Sequence, residues 1–102
     1  MSGSAAPSPT GAYLRHIARE HVEARGFHFD PSGDREFEIA TDRAIETAHE
    51  SNLYTVQDLA MNVLPNTIRL ANEVIEYAED SRLTALSVRQ ALKSLCPIFP
   101  FC

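Results

Sequence analysis

The chain is poor in the residues that nucleic-acid binding and membrane insertion require. Its 102 residues include a single lysine, Lys93, and eight scattered arginines, and its net charge is −5 at pH 7. Binding through phosphates needs clustered cations, so this charge disfavours a general nucleic-acid coat. No stretch approaches the roughly 18 consecutive apolar residues of a membrane span. Residues 1–10 lack the basic start and the apolar run of a secretory signal.

Cysteine is scarce as well. Cys96 and Cys102 are separated by five residues in a tail rich in proline and phenylalanine. A disulfide there would close a very small loop, so we expect free thiols in a reducing intracellular compartment. Without a nearby ligand pair these cysteines do not make a zinc site. The tail over 96–102 is apolar enough that we expect it to dock on another surface.

The length allows one domain at most. We expect residues 1–10, which are small, polar and proline-rich, to form a disordered leader. The remaining residues would bury only about 60–65% of their unfolded surface, which is marginal for a lone monomer. Size alone therefore favours help from a partner chain.

Two stretches about thirty residues apart read almost alike. Residues 44–53 and 74–83 share five identical positions, namely Ile45/Ile75, Glu46/Glu76, Ala48/Ala78, Ser51/Ser81 and Leu53/Leu83. Each copy continues into a threonine that can cap a new helix, Thr55 and Thr84. A repeat of this length usually marks a supersecondary unit that cannot bury its apolar face alone. The pattern predicts two units, each a helix, a short extended bridge and a second helix, with the middle helix shared by both.

Apolar periodicity predicts four helices, near 12–25, 34–50, 55–80 and 85–95, with short extended bridges at 53–54 and 82–83. Gly26 ends the first helix, residues 27–29 alternate like a short strand or a packed loop, and residues 30–33 read as a turn. The third pattern runs through Pro65, which costs about 3 kcal/mol in a helix interior. Because the apolar register is unbroken across it, we expect one kinked helix.

The closing segment, residues 76–93, resembles the end of core histone four. The matching positions are Glu76, Ala78, Thr84, Ala85, Val88, Ala91, Leu92 and Lys93, with Leu83 in place of a valine. A long central helix flanked by two shorter helices through strand-like bridges is also the histone-fold plan. The resemblance implies an all-α histone fold, a helix–strand–helix duplicated around a long central helix, over residues 34–95. An extra N-terminal helix and loop would precede it over 11–33.

This resemblance also implies pairing with another histone-fold chain, as a homodimer or a heterodimer. In such a handshake the first bridge of one chain lies beside the second bridge of the other, so that Leu53 would meet Leu83. The implied dimer interface consists of Leu53, Leu59, Val63, Leu64, Ile68, Ala71, Val74, Ile75, Leu83, Val88 and Leu92.

The chain departs from histones where histones meet DNA. Both bridges and the start of the 34–50 helix carry carboxylates where phosphates would lie, the basic N-terminal tail is missing, and Ser87 replaces an aspartate. We expect weak or indirect DNA contact at most, through Arg15, Arg19, Arg82 or Arg89. The chain looks like the acidic histone-fold subunits that act as protein–protein scaffolds inside chromatin or transcription assemblies.

No pattern in the sequence supports catalysis or metal binding. His16 and His21 are five residues apart, whereas a helical metal pair uses a four-residue step. No Ser-His-Asp or Cys-His pair has a supporting spacing, and there is no Gly-rich phosphate cradle. The many glutamates lie at helical spacing, as on solvated faces. We expect no enzyme activity, no cofactor, no metal and no small-molecule substrate.

Two other interpretations stay open. Residues Tyr54-Thr55-x-x-Asp58-Leu59-Ala60, followed later by Leu83-Thr84 and a short helix, also resemble the helical lid of AAA ATPases. The interval between those elements is longer here by about a turn or more, and no nucleotide-binding domain accompanies them. The other interpretation is a small helical adaptor or accessory subunit of a different complex. A DNA-packaging histone is less favoured.

Overall fold

The computed structural model describes residues 9–50 and 63–95. In them the chain forms four helices, α1 (Pro9–Glu23), α2 (Pro31–Glu50), α3 (Leu64–Glu76) and α4 (Ala85–Leu95), and two short strands, β1 (His28–Phe29) and β2 (Arg82–Leu83). The order helix–strand–helix therefore occurs twice, as α1–β1–α2 and as α3–β2–α4. The prediction of a mainly helical protein is confirmed.

Most predicted bounds agree with the structure to within a few residues. α1 and α2 begin slightly earlier than predicted, α3 ends at Glu76 rather than at residue 80, and α4 has the predicted bounds. The predicted bridge at 82–83 is strand β2. The predicted bridge at 53–54, residues 1–8 of the leader and the tail over 96–102 lie outside the described residues.

The segment Asp30-Pro31-Ser32-Gly33, predicted as a turn, opens α2 instead. Asp30 caps the helix, because its Oδ1 accepts hydrogen bonds from the Gly33 N–H (2.8 Å) and from the Ser32 hydroxyl (2.7 Å). Pro31 occupies the first helical position, where its missing N–H costs nothing and its fixed φ suits the helix. Asp-Pro before a periodic apolar run is also a helix-start signal, which the turn assignment overlooked.

Pro65 lies in the first turn of α3. A proline is tolerated in the first turn of a helix, because the first N–H groups of a helix have no partner inside it. The preceding residue, Val63, already has helical dihedrals (φ −75°, ψ −44°), and its carbonyl accepts a 2.8 Å hydrogen bond from the Thr67 hydroxyl. The predicted kink concerns how residues 55–62 join this helix, and those residues lie outside the described part of the chain.

The helices form a ring in which α1 and α4 each pack against both α2 and α3. The apolar core inside the ring consists of Ala18, Val22, Phe37, Ala40, Ala44, Leu70, Ala71, Val74, Leu83, Val88, Ala91 and Leu95. A smaller cluster joins Leu14 of α1, Ile45 of α2 and Val63. Helix α1 thus belongs to the core, whereas its Tyr13 is 56% exposed.

The two strands pair with each other in parallel, with His28 opposite Arg82 and Phe29 opposite Leu83. The His28 N–H donates to the Ser81 carbonyl (2.9 Å), and the Asp30 N–H donates to the Leu83 carbonyl (3.1 Å). We call these two strands the bridge pair. The implied handshake would place a bridge of another chain beside residues 82–83, whereas here β1 of the same chain lies beside them.

Candidate interaction surfaces

The residues predicted to form a dimer interface fall into three groups. Those buried in the chain's own core are Val63, Ala71, Val74, Leu83 and Val88. Those that are half-buried are Leu64, Ile68, Ile75 and Leu92. Leu53 and Leu59 lie outside the described residues. Among the described residues of the predicted interface, only the half-buried group has apolar surface left to offer a partner.

Three of the half-buried residues lie along one side of α3. Leu64, Ile68 and Ile75 follow one another at steps of four and seven residues, which places them on a single helical face. Leu64 packs against the small cluster and Ile75 against the main core. We call Leu64, Ile68 and Ile75 the α3 stripe. Together with Leu92, it is the described part of the predicted interface that a partner can still contact.

All four arginines predicted to contact DNA are paired with carboxylates. The pairs are Arg15 with Glu38 (3.5 Å) and Asp42 (3.3 Å), Arg19 with Asp34 (2.7 Å), Arg82 with Asp80 (3.5 Å), and Arg89 with Glu36 (3.3 Å). The side chain of Arg15 is only 11% exposed. A phosphate at any of the others would lie next to the carboxylate already bound there. This geometry weighs against duplex binding by these side chains.

Three of these arginines join separate helices. Arg15 and Arg19 connect α1 to α2. Arg89 connects α4 to α2, and it reaches both carboxylate oxygens of Glu36, a two-point contact that fixes orientation as well as distance. Glu36, predicted to lie on a solvated face, is only 22% exposed. The carboxylates at the start of α2, which distinguish the chain from histones, therefore anchor neighbouring helices.

The start of α2 also holds the start of α4. The Ser32 hydroxyl accepts a 3.2 Å hydrogen bond from the Ala85 N–H, one of the N–H groups that a helix cannot satisfy internally. Thr84 caps α4 as predicted, since its Oγ1 accepts from the Ser87 N–H at 3.4 Å. Gly33 lies directly against β2, and a Cβ there would overlap the carbonyl of Leu83. Both contacts come from the Asp-Pro-Ser-Gly segment, residues 30–33, which was the feature visible in the sequence.

A groove of about 380 Å³ lies beside β2. Its lining comes from the residues after α3, from β2 and from the first turns of α4, namely Tyr77, Glu79, Asp80, Arg82, Thr84, Leu86, Ser87 and Gln90. Tyr77 is 43% and Leu86 56% exposed. No sequence pattern predicted this groove, because the helical periodicity of residues 74–92 marks only the side that faces the core.

Asp80 stays ionised beside this groove. Its Oδ1 accepts a 2.8 Å hydrogen bond from the Arg82 N–H, and its Oδ2 lies 3.5 Å from the Arg82 guanidinium. The backbone hydrogen bond is the larger cause, and together they lower the pKa of Asp80 below its ordinary value. The carboxylate is therefore a fixed negative charge at neutral pH.

Two histidines of α1, His16 and His21, take part in ordinary side-chain contacts. His16 lies 3.5 Å from Glu20 on the exposed face of α1. His21 lies 2.7 Å from the amide oxygen of Asn72, which also accepts a 3.0 Å hydrogen bond from Arg25, so this contact joins α1 to α3. Across residues 9–50 and 63–95, no three histidine, cysteine, aspartate or glutamate side chains are placed to hold a metal ion.

No protein-family model, curated protein or solved structure matches this chain. Of the four helices described above, none is both long and apolar enough to cross a membrane.

Proposed function

We propose that this chain is a non-enzymatic dimerisation subunit of the histone-fold type, which acts as a protein–protein scaffold in a chromatin- or transcription-type assembly. The observation that carries the proposal is the helix–strand–helix order, present twice, with its two strands side by side in parallel. The histone fold is built from the same helix–strand–helix unit, although in this chain the first unit begins at α1. The resemblance of residues 76–93 to core histone four supplies the chromatin setting.

The distribution of charge supports a protein partner over DNA. The chain carries a net charge of −5, and the arginines best placed to contact DNA are held by carboxylates of neighbouring elements. Electrostatic attraction to a phosphate backbone is weak for such a surface. In the proposed assembly, the subunit contributes shape and partner choice, and DNA contact is indirect.

The proposed partner is another histone-fold chain, either a copy or a different sequence, that covers the α3 stripe. Ile68 lies in the middle of the stripe and is half-buried in the single chain. A partner that covers Leu64, Ile68 and Ile75 would remove their remaining apolar surface from water, at about 25 cal/mol for each Å² buried.

Sedimentation equilibrium of the full chain, together with recovery of proteins that co-purify at one-to-one stoichiometry, tests this proposal. Ile68→Glu should weaken pairing at least about tenfold, since a carboxylate would lose its water in the interface. The matched control is Ile39→Glu, at an exposed isoleucine of α2, which should leave pairing unchanged. A wild-type chain that stays monomeric at micromolar concentration, melts cooperatively and recovers no stoichiometric partner would contradict the proposal.

A self-contained helical module, such as the one that resembles the AAA lid, is the second candidate. One observation favours it. Strand β2 pairs in parallel with β1 of the same chain, and residues of the single chain form a buried core. Such a module would melt cooperatively as a monomer, at a temperature independent of protein concentration. A paired subunit would melt at a temperature that rises with concentration.

A further inference from the structure

The groove beside β2 has features that pairing through the α3 stripe does not use. Two large side chains that line it, Tyr77 and Leu86, are about half exposed. Exposed apolar side chains in a concave, otherwise polar surface are typical of an interaction site. With a volume near 380 Å³, the groove accommodates a few side chains of an extended segment.

The charge around the groove is negative. Glu73 and Glu76 lie in the last turn of α3, which contains no basic residue, and Glu79 and Asp80 follow it. A helix C-terminus already carries partial negative charge, so acidic side chains are unfavourable there. The carboxylate of Glu79 has no partner within residues 9–50 and 63–95. A cation that binds beside it would relieve this repulsion.

The groove does not favour an anion, although it lies at the start of α4. Helix starts attract anions through N–H groups that lack a partner. Here the Ala85 N–H already donates to Ser32 and the Ser87 N–H to Thr84. The positive side chain in the lining, Arg82, is already paired with Asp80.

We propose that this groove binds a basic, partly apolar segment of a partner protein. An arginine or lysine of the segment packs on the ring of Tyr77 and pairs with Glu79, while an apolar side chain contacts Leu86. An aromatic face and a carboxylate together are well suited to a cation that is partly withdrawn from water. This site goes beyond the proposed pairing and does not depend on it.

Nuclear magnetic resonance titration of the full ¹⁵N-labelled chain tests the site. The probe is a capped hexapeptide in which arginine and leucine alternate, and the control peptide has glutamate in place of arginine. We expect the basic peptide to shift resonances of residues 77–90, less strongly as salt is added, and the acidic peptide to leave them unchanged.

Two variants with matched controls locate the contact. Tyr77→Ala should weaken binding of the basic peptide at least about threefold, and Glu79→Lys about tenfold. Tyr13→Ala and Glu46→Lys, at exposed positions of α1 and α2, should leave the affinity unchanged.

Three results would overturn the site: equal binding of the acidic peptide, shifts outside residues 77–90, or a dissociation constant weaker than about 10 mM. Indifference to both Tyr77→Ala and Glu79→Lys would overturn it as well. The Ile68→Glu chain separates this site from the proposed pairing, because it should still bind the basic peptide after pairing is lost.

Discussion

Gly33 is a residue at which the two helix–strand–helix units approach closely. It lies in the first turn of α2, where alanine would normally favour the helix by up to about 1 kcal/mol. The carbonyl of Leu83 occupies the space that a Cβ would need, with its carbon atom 2.8 Å from the Cβ position. Steric contact and helix propensity therefore act in opposite directions at this position.

Gly33→Ala should lower the free energy of unfolding by about 2–3 kcal/mol, because the helix and the strand would have to separate. Urea denaturation measures the loss. Gly26→Ala is the control, because Gly26 has a positive φ of +86° but nothing within 4 Å of a Cβ. This substitution should lower the free energy of unfolding only by the roughly 1 kcal/mol of backbone strain. Equal losses in the two variants would contradict the close approach at Gly33.

Asp30 gives the start of α2 a dependence on pH. Hydrogen bonds from the Gly33 N–H and, second, from the Ser32 hydroxyl hold the pKa of Asp30 below its ordinary value of 3.8. A carboxyl whose pKa is lower in the folded state stabilises the protein above the unfolded pKa. That contribution is lost as the pH falls from about 4 through the folded pKa.

Asp30→Asn should therefore keep its stability at pH 7, since asparagine also caps helices, and lose less stability than the wild type below about pH 4. Asp30→Ala should lose about 1 kcal/mol at pH 7. Glu46→Gln, at an exposed position of the same helix, controls for a change of charge alone. If the stability of Asp30→Asn falls below pH 4 as steeply as that of the wild type, the Asp30 carboxyl is not the cause of the pH dependence.

At the scale of elements, the sequence predicted best where periodicity and caps agree. Helix α4 has both, since Thr84 precedes a regular apolar pattern, and its bounds were predicted correctly. The parallel pairing of β1 with β2 was not predictable, because two-residue strands carry almost no periodic signal and their register follows from closure of the whole ring. A usable signal was nevertheless present: each strand is followed at once by a capping residue, Asp30 or Thr84.

The internal repeat located the bridge of the second unit, which is β2, whereas the bridge predicted in its first copy, at 53–54, lies outside the described residues. Its copies, residues 44–53 and 74–83, begin near the ends of α2 and α3, so their similarity includes two helix ends of the same apolar register. The first strand of the fold lies earlier, at β1, in a segment without a matching copy in the repeat. The groove escaped prediction because its lining residues lie on the side of the second unit away from the core.

Two residues of the predicted interface, Val63 and Ile68, should respond differently when each is replaced by glutamate. Val63 is 4% exposed and packs with Leu14 and Ile45, so Val63→Glu should destabilise the single chain by about 3 kcal/mol or more. Ile68→Glu should leave the stability of the single chain nearly unchanged and weaken pairing alone. Denaturation at low protein concentration distinguishes them. Full stability of a monomeric Val63→Glu chain would mean that Val63 faces a partner.

For the whole molecule, three of the arginines predicted to contact DNA, Arg15, Arg19 and Arg89, form ion pairs between helices. At physiological ionic strength we expect no duplex binding tighter than about micromolar by fluorescence anisotropy. Arg19→Ala and Arg89→Ala should each lower stability by about 0.2–1 kcal/mol, since their pairs are partly exposed. Nanomolar binding that falls steeply with salt and is lost in these variants would make a packaging histone the leading account.

We also expect the bridge pair to affect the rate at which the folded protein unfolds. Each helix–strand–helix unit is made of near neighbours in the sequence, whereas the contact of His28 with Arg82 closes a long loop. Contacts that close long loops tend to form after local ones, so we expect the bridge pair to be largely absent from the folding transition state. Gly33→Ala should then speed unfolding and leave folding almost unchanged, with a φ-value below about 0.3 in stopped-flow experiments. The lifetime of the folded protein would thus depend on two strands of two residues each.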